Sequence, residues 1–222
     1  MFDILLGAIL GTIFSIVTTI ILERQRKPVL ELRIGKIGVE DNYVLKPAKK
    51  ARFLYLELVN KPLPKLFRWI SRSSAMQCHG TISFHHLDGQ NVFGRTMDIR
   101  WTNLPNPMPV IINVEGKQFQ LFDSRKFNHD SKVDTYPGEA ELLNVASRFD
   151  DENECYGWCN ENLWREPLWR NPDWKLPYGR YILRVEVISA GEKCIRLFRL
   201  INDVAMKDFR LEKSLPSDKV IE

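Results

Sequence analysis

The sequence predicts a mainly β protein, with a single N-terminal transmembrane helix followed by an antiparallel β-sandwich domain, Ig-like or barrel-like in form. Three observations predict it. Residues 4–22 are an uncharged apolar run, bounded by Asp3 on one side and by Glu23-Arg24-Gln25-Arg26-Lys27 on the other. After it, apolar residues recur with the period of two that marks a strand with one buried face. Short turn signals separate these runs and no long helical segments alternate with them, which argues against a βαβ fold.

At about 1.5 Å per residue, a helix over residues 4–22 just crosses the hydrocarbon core of a bilayer. A cleaved signal peptide needs basic residues before its apolar stretch and a small-residue cleavage site after it. Here only Asp3 precedes the run and a basic cluster follows, so the helix is expected to stay. Arg24, Arg26 and Lys27 are the topology determinants, because basic residues near a span are held on the cytoplasmic side. Residues 1–3 are thus expected outside, 23–27 as a basic juxtamembrane segment, and the remainder in the cytoplasm of a single-pass cell-membrane protein. Gly7 and Gly11 have the Gly-x-x-x-Gly spacing that lets two helices approach closely, a route to a homo-oligomer, although small residues are common in spans.

Residues 28–213 are read as one β domain, with a polar tail over 214–222. Leu30, Leu32 and Ile34 alternate with Glu31 and Arg33. Leu54, Leu56 and Leu58 share one face, and Phe53, Tyr55 and Glu57 the other. Ile82 and Phe84 alternate with Thr81 and Ser83, and Asp88-Gly89 then supplies a turn toward Val92 and Phe93. Met97, Ile99 and Trp101 form another alternating run. Tyr181, Leu183, Val185 and Val187 make the clearest strand, joined through Ser189-Ala190-Gly191-Glu192 to one marked by Ile195, Leu197 and Ile201. Gly138–Arg148 is open to two readings, a helix with Leu142, Val145 and Ala146 on its stripe, or a strand with Leu143 and Val145 inward.

The chain has 32 basic and 28 acidic residues, and its first 22 residues contribute only Asp3. The modest basic excess of the remainder suits a domain beside an anionic leaflet. It is too small and too dispersed to point to nucleic acid. The four cysteines, in a domain of ordinary size, read as core residues rather than a disulfide framework.

The most unusual motif is a five-residue tandem repeat, Trp164-Arg165-Glu166-Pro167-Leu168, Trp169-Arg170-Asn171-Pro172-Asp173 and Trp174-Lys175-Leu176-Pro177-Tyr178. Its prolines exclude a regular helix. Trp164, Arg165, Trp169, Arg170, Trp174 and Lys175 are candidate binding residues, since flat rings beside fixed cations grip sugars, nucleobases or protein segments. The plainer reading is a loop that staples itself to the sandwich by stacking. It is preferred for Trp169, and exposure of Trp164 or Trp174 is left open.

Cys155 and Cys159 lack the second pair that a zinc site needs. His85 and His86 are adjacent on a strand and point to opposite faces. Asp150-Asp151-Glu152 with Glu154 reads as a solvated loop. No nucleophile elbow or phosphate-cradling glycine loop is present. No cofactor or metal is expected.

Pro64–Arg72 departs from period two. On a helix, Leu66, Phe67, Trp69 and Ile70 share one arc while Lys65, Arg68 and Arg72 take the other. Lys65, Phe67, Arg68, Trp69 and Arg72 are therefore candidates for a membrane interface, against the plainer reading of a short helix closing one end of the sandwich. The expected function is a membrane-anchored, cytoplasm-facing binding module that meets a protein partner at the inner leaflet. The alternative is a self-assembling structural or effector protein, and the third reading a hydrolase without a motif.

Overall fold

The computed structural model describes residues 2–41, 50–67, 69–105, 110–115, 117–121, 132–162, 169–190 and 192–221. The apolar run forms α1 (Phe2–Arg26), exposed over 6–26 apart from the half-buried Thr18 and Leu22, and Leu6–Arg26 is long and apolar enough to cross a membrane. Pro28 follows its end, where a proline disfavours helix in the residue before it.

Two antiparallel sheets follow, and the sandwich form holds. The first is built on β1 (Leu30–Ile34), β2 (Gly38–Asp41) and β3 (Lys50–Asn60). The second begins with β4 (Ala75–His85). The chain then continues through β5 (Met97–Asp98), β6 (Arg100–Trp101), β7 (Val110–Val114), β8 (Lys117–Leu121), β9 (Val133–Thr135), β10 (Ala140–Phe149), β11 (Cys155–Gly157) and β12 (Lys175–Leu176). It closes with β13 (Arg180–Ser189), β14 (Glu192–Ile201) and β15 (Arg210–Lys213). Among the described residues the first sheet runs β1-β3-β10-β11-β12, with β2 on β3 and β6 on β10. The second runs β15-β14-β13-β4-β5, with β9 on β4.

The alternating residues meet between the sheets. Leu54, Leu56 and Leu58 of β3 and Tyr181, Leu183, Val185 and Val187 of β13 belong to one buried cluster. The predicted hairpin is present, with Ser189 opposite Glu192. On β14, Cys194, Phe198 and Leu200 face the core, whereas Ile195 and Leu197 lie half-buried on the other side. Gly80 sits opposite Val187, and a side chain there would strike the Glu186 carbonyl, so glycine permits this close pairing of β4 and β13.

Two segments differ from the simple alternation. The 97–101 run is not one strand. Met97 pairs with β4 in the second sheet, and Trp101 pairs with β10 in the first, so the chain crosses the sandwich at Ile99 and buries all three side chains. The 138–148 segment is a strand, not a helix. A bulge between Asn144 and Ala146 inserts Val145 into the register, so Leu143, Val145 and Ala146 all reach the core. Burial on both faces of β10 removes the alternation by which a strand is recognised.

Residues 214–221 are fastened to the domain. Asp218 forms a two-pronged pair with Arg199 of β14 at 2.5 and 2.8 Å and also accepts the Leu215 amide hydrogen at 2.7 Å. The Ile221 amide donates to the Gly89 carbonyl at 3.0 Å. The Arg199 hydrogen bond holds the Asp218 carboxyl below its ordinary value. A carboxyl lowered on folding adds stability above its unfolded pKa and loses it as pH falls through the folded one. Asp218→Asn should therefore lower stability by roughly 1–2 kcal/mol at neutral pH. In urea titrations the gap between the two proteins should persist down to the ordinary aspartate value near 3.8 and close below it. A gap that stays constant into strong acid would contradict the pairing.

Candidate functional site

One end of the domain is tied to the end of α1. The Ser73 amide donates to the Arg26 carbonyl at 2.7 Å, and the Lys61 amide to the Val29 carbonyl at 2.9 Å. Asn60, fully buried, connects these pieces. Its Oδ1 accepts from the Val29 amide at 3.3 Å, and its Nδ2 donates to the Ser73 and Thr135 carbonyls at 3.0 and 3.2 Å. Lys27 lies 3.8 Å from Glu192 in the β13–β14 turn, and Ser189 of that turn donates to the Met76 carbonyl at 2.9 Å. The connection from β3 to β4, the β13–β14 turn and the start of β4 thus gather where α1 ends. Only Lys27, Pro28 and Val29 separate α1 from β1.

The expected 64–72 helix is a single 3-10 turn, Lys65–Phe67, and the two-face arrangement fails. Ile70 is buried at 8% exposure while Trp69 is 74% exposed, so the two side chains point apart. The Asn60–Ser73 and Ser73–Arg26 hydrogen bonds fix the far end of the segment, and burial of Ile70 with Trp69 left in solvent breaks the helical face after the first turn. Phe67 is half-buried, and Arg68 lies outside the described residues. A cavity of about 580 Å³ opens beside the turn, walled by Pro62, Leu63 and Ile70 and lined by Lys65, Ser71 and Arg72. Arg72 is half-buried, and among the described residues its Nε and Nη1 have no hydrogen-bond partner. Burial pushes the Arg72 pKa down from its ordinary value. Among the described residues the cavity lining contains no carboxylate.

The tryptophan repeat lies elsewhere and largely inside. Phe53, Phe149, Tyr156, Trp158 and Trp169 form a second buried cluster, with Tyr55 packed against it. Trp169 meets Trp158 edge-on at 5.5 Å, and Arg100 lies over its ring at 5.4 Å. The Trp169 backbone is in the left-handed region, with φ 65°, and its amide donates to the Asn162 carbonyl at 3.1 Å. Trp174, which the sequence left open to exposure, is 1% exposed and belongs to the main core. Arg170 is clamped by Asp151 at 2.7 and 2.8 Å and by Glu152 at 3.1 Å, and it stacks over Phe149. Lys175 pairs with Glu154 at 3.1 Å. The acidic run read as solvated is therefore the counter-charge of the repeat. Burial pushes the Glu152 carboxyl up, and the Lys175 hydrogen bond holds Glu154 down. Trp164 and Arg165 lie outside the described residues.

Other groups with chemical potential are held in place. All four cysteines are buried and unbridged. Burial pushes the Cys155 thiol well above its ordinary value, and that of Cys159 up to about 12. His85 is fixed between Ser83 Oγ at 2.8 Å and the Gly89 carbonyl at 2.9 Å. Among the described residues no group of three metal-ligating side chains is assembled.

One element escaped sequence reading. Strands β7 and β8 pair with each other, and among the described residues with neither sheet. Ile112 and Val114 are exposed on this hairpin. The legible signal was a β-branched run, Val110-Ile111-Ile112-Asn113-Val114, ahead of Glu115-Gly116.

The chain matches no protein-family model, no curated protein and no solved structure. Its class is architectural, a β-sandwich with one apolar N-terminal helix.

Proposed function

We propose that the protein is a membrane-anchored, non-enzymatic interaction module. In this reading α1 crosses the cell membrane once, Arg24, Arg26 and Lys27 hold its C-terminal end at the cytoplasmic face, and the sandwich recruits a protein partner at the inner leaflet. The observation that carries it is the β7–β8 hairpin, which among the described residues pairs with neither sheet and exposes Ile112 and Val114. Exposed β-branched residues on a two-stranded ribbon whose edges pair with no other strand among the described residues suit addition of a partner strand. The hydrogen bond from Ser73 to Arg26 supports the anchored arrangement, because it holds the domain against the helix end rather than on a loose tether. The buried thiols, the fixed His85 and the ion-paired Asp151, Glu152 and Glu154 favour binding over catalysis, since each already has a structural task.

A second reading, self-assembly within the membrane, is favoured by one feature. A side chain added at Gly7 or Gly11 would meet nothing within 4 Å, so that face of α1 is open to a second helix. One experiment separates the two. The full chain is extracted from its native membrane in mild detergent, and its mass and co-purifying proteins are compared with those of the Ile112→Asp/Val114→Asp variant. Recruitment predicts a monomer that retains a discrete partner, lost in the variant while the melting temperature is unchanged. A defined homo-oligomer in both proteins supports assembly, and equal retention of the same partner overturns the hairpin as its contact.

A further inference from the structure

We infer that the cavity beside the Lys65–Phe67 turn binds the phosphate of an anionic lipid headgroup. The inference rests on α1 being a membrane anchor. Leu22 is the last residue of the uncharged run and Arg26 lies four residues further, which at 1.5 Å per residue places the Arg26 carbonyl about 6 Å beyond the hydrocarbon. The headgroup layer on each side of a bilayer is about 5–7 Å thick. Ser73 touches that carbonyl at 2.7 Å, so its neighbour Arg72 is set at headgroup depth.

The chemistry of the cavity fits that position. Arg72 brings a guanidinium whose Nε and Nη1 find no acceptor among the described residues, and Lys65 brings an ammonium group with no carboxylate among the described residues of the lining. A donor without a partner is costly, and a small turn of the half-buried guanidinium toward the cavity lets its planar fork meet a phosphate oxygen. Ser71 adds a hydroxyl, and Pro62, Leu63 and Ile70 supply an apolar wall against which the glycerol part of a lipid can lie. Trp69, 74% exposed beside this cavity in sequence, is the residue type that settles at the boundary between headgroups and acyl chains. An isolated phosphate would use the two cations alone. A lipid uses the cations, the apolar wall and the fixed depth together.

The test uses the full chain in neutral detergent with short-chain phosphatidylglycerol or short-chain phosphatidylcholine at equal concentration. Retained lipid is counted by native mass spectrometry, with and without a large excess of inorganic phosphate. Phosphatidylglycerol should be retained about tenfold more than phosphatidylcholine, and Arg72→Gln and Lys65→Gln should each reduce that retention about fivefold. Lys65 is exposed, so its replacement leaves the fold intact and keeps the test decisive even if Arg72→Gln destabilises the turn. Equal retention of the two lipids, or unchanged retention in both variants, overturns the inference. Displacement of the lipid by inorganic phosphate also overturns it, by showing a site for the soluble anion. An alkaline carbonate wash of native membranes separates this from the anchor reading. A chain released by the wash refutes the anchor, whereas a chain that stays and shows no lipid preference refutes the cavity alone.

Discussion

Val185→Asp should abolish the folded domain. Val185 is fully buried at the centre of β13, opposite Ile82 of β4 and Arg196 of β14, and its side chain belongs to the core between the sheets. An aspartate there is cut off from water among the apolar side chains of the core. The loss is on the order of 5 kcal/mol or more, against a total of about 5–15 kcal/mol for an ordinary domain. Circular dichroism and limited proteolysis of the full chain in detergent should show no cooperative melt for the variant. A melt resembling the wild type would overturn the placement of β13. The next residue supplies the contrast. Glu186 lies on the outer face, paired with Lys193 at 2.6 Å and Arg184 at 2.9 Å. Glu186→Lys removes both pairs, yet should cost only about 1 kcal/mol, because these are surface interactions in contact with water.

Trp174→Ala should produce the second largest effect. The ring is 1% exposed, lies edge-on to Phe93 at 5.0 Å and carries the Arg95 guanidinium over its face at 4.3 Å. Its Nε1–H donates to Glu161 at 2.8 Å. Truncation leaves a large cavity and a carboxylate without its donor, a loss of about 3–5 kcal/mol. For a domain of this size that corresponds to a fall in melting temperature on the order of 10 °C. Trp174→Phe should restore most of the packing and lose only the hydrogen bond, about 1 kcal/mol. Trp169→Ala should fall between the two, since Trp169 seals the smaller second cluster rather than the space between the sheets. A melting curve unchanged by Trp174→Ala would return the repeat to the role of an exposed recognition surface.

The tryptophan repeat shows why motif and environment come apart. Aromatic and basic residues in alternation describe a recognition surface and a buried staple equally well, because both use the same stacking and ion-pair chemistry. The choice depends on Asp151, Glu152 and Glu154, which neutralise Arg170 and Lys175 only once the β10–β11 turn is folded beside them. Of the one- or two-turn helix expected over Pro64–Arg72, only a single 3-10 turn forms, for a related reason. Its apolar arc shares one side of a helical wheel, but the core takes Ile70 and leaves Trp69 in solvent, beside the Asn60–Ser73 and Ser73–Arg26 hydrogen bonds.

What the chain determines by itself is local and periodic. The uncharged run of α1, the strand faces of Leu54, Leu56 and Leu58 and of Leu183, Val185 and Val187, and the turn at Ser189–Glu192 all follow from patterns within about ten residues. These patterns suffice for a sandwich because each strand with one apolar face must bury it against another sheet. Other features were decided only by tertiary structure. They include the crossing of residues 97–101 between sheets, the double burial of β10, the counter-ions of the repeat, and the meeting of Arg26 with Ser73. Each depends on residues far apart in the sequence. Whether a polar group is paired, or an apolar face covered, is set by which distant strand arrives beside it, and no local pattern carries that information.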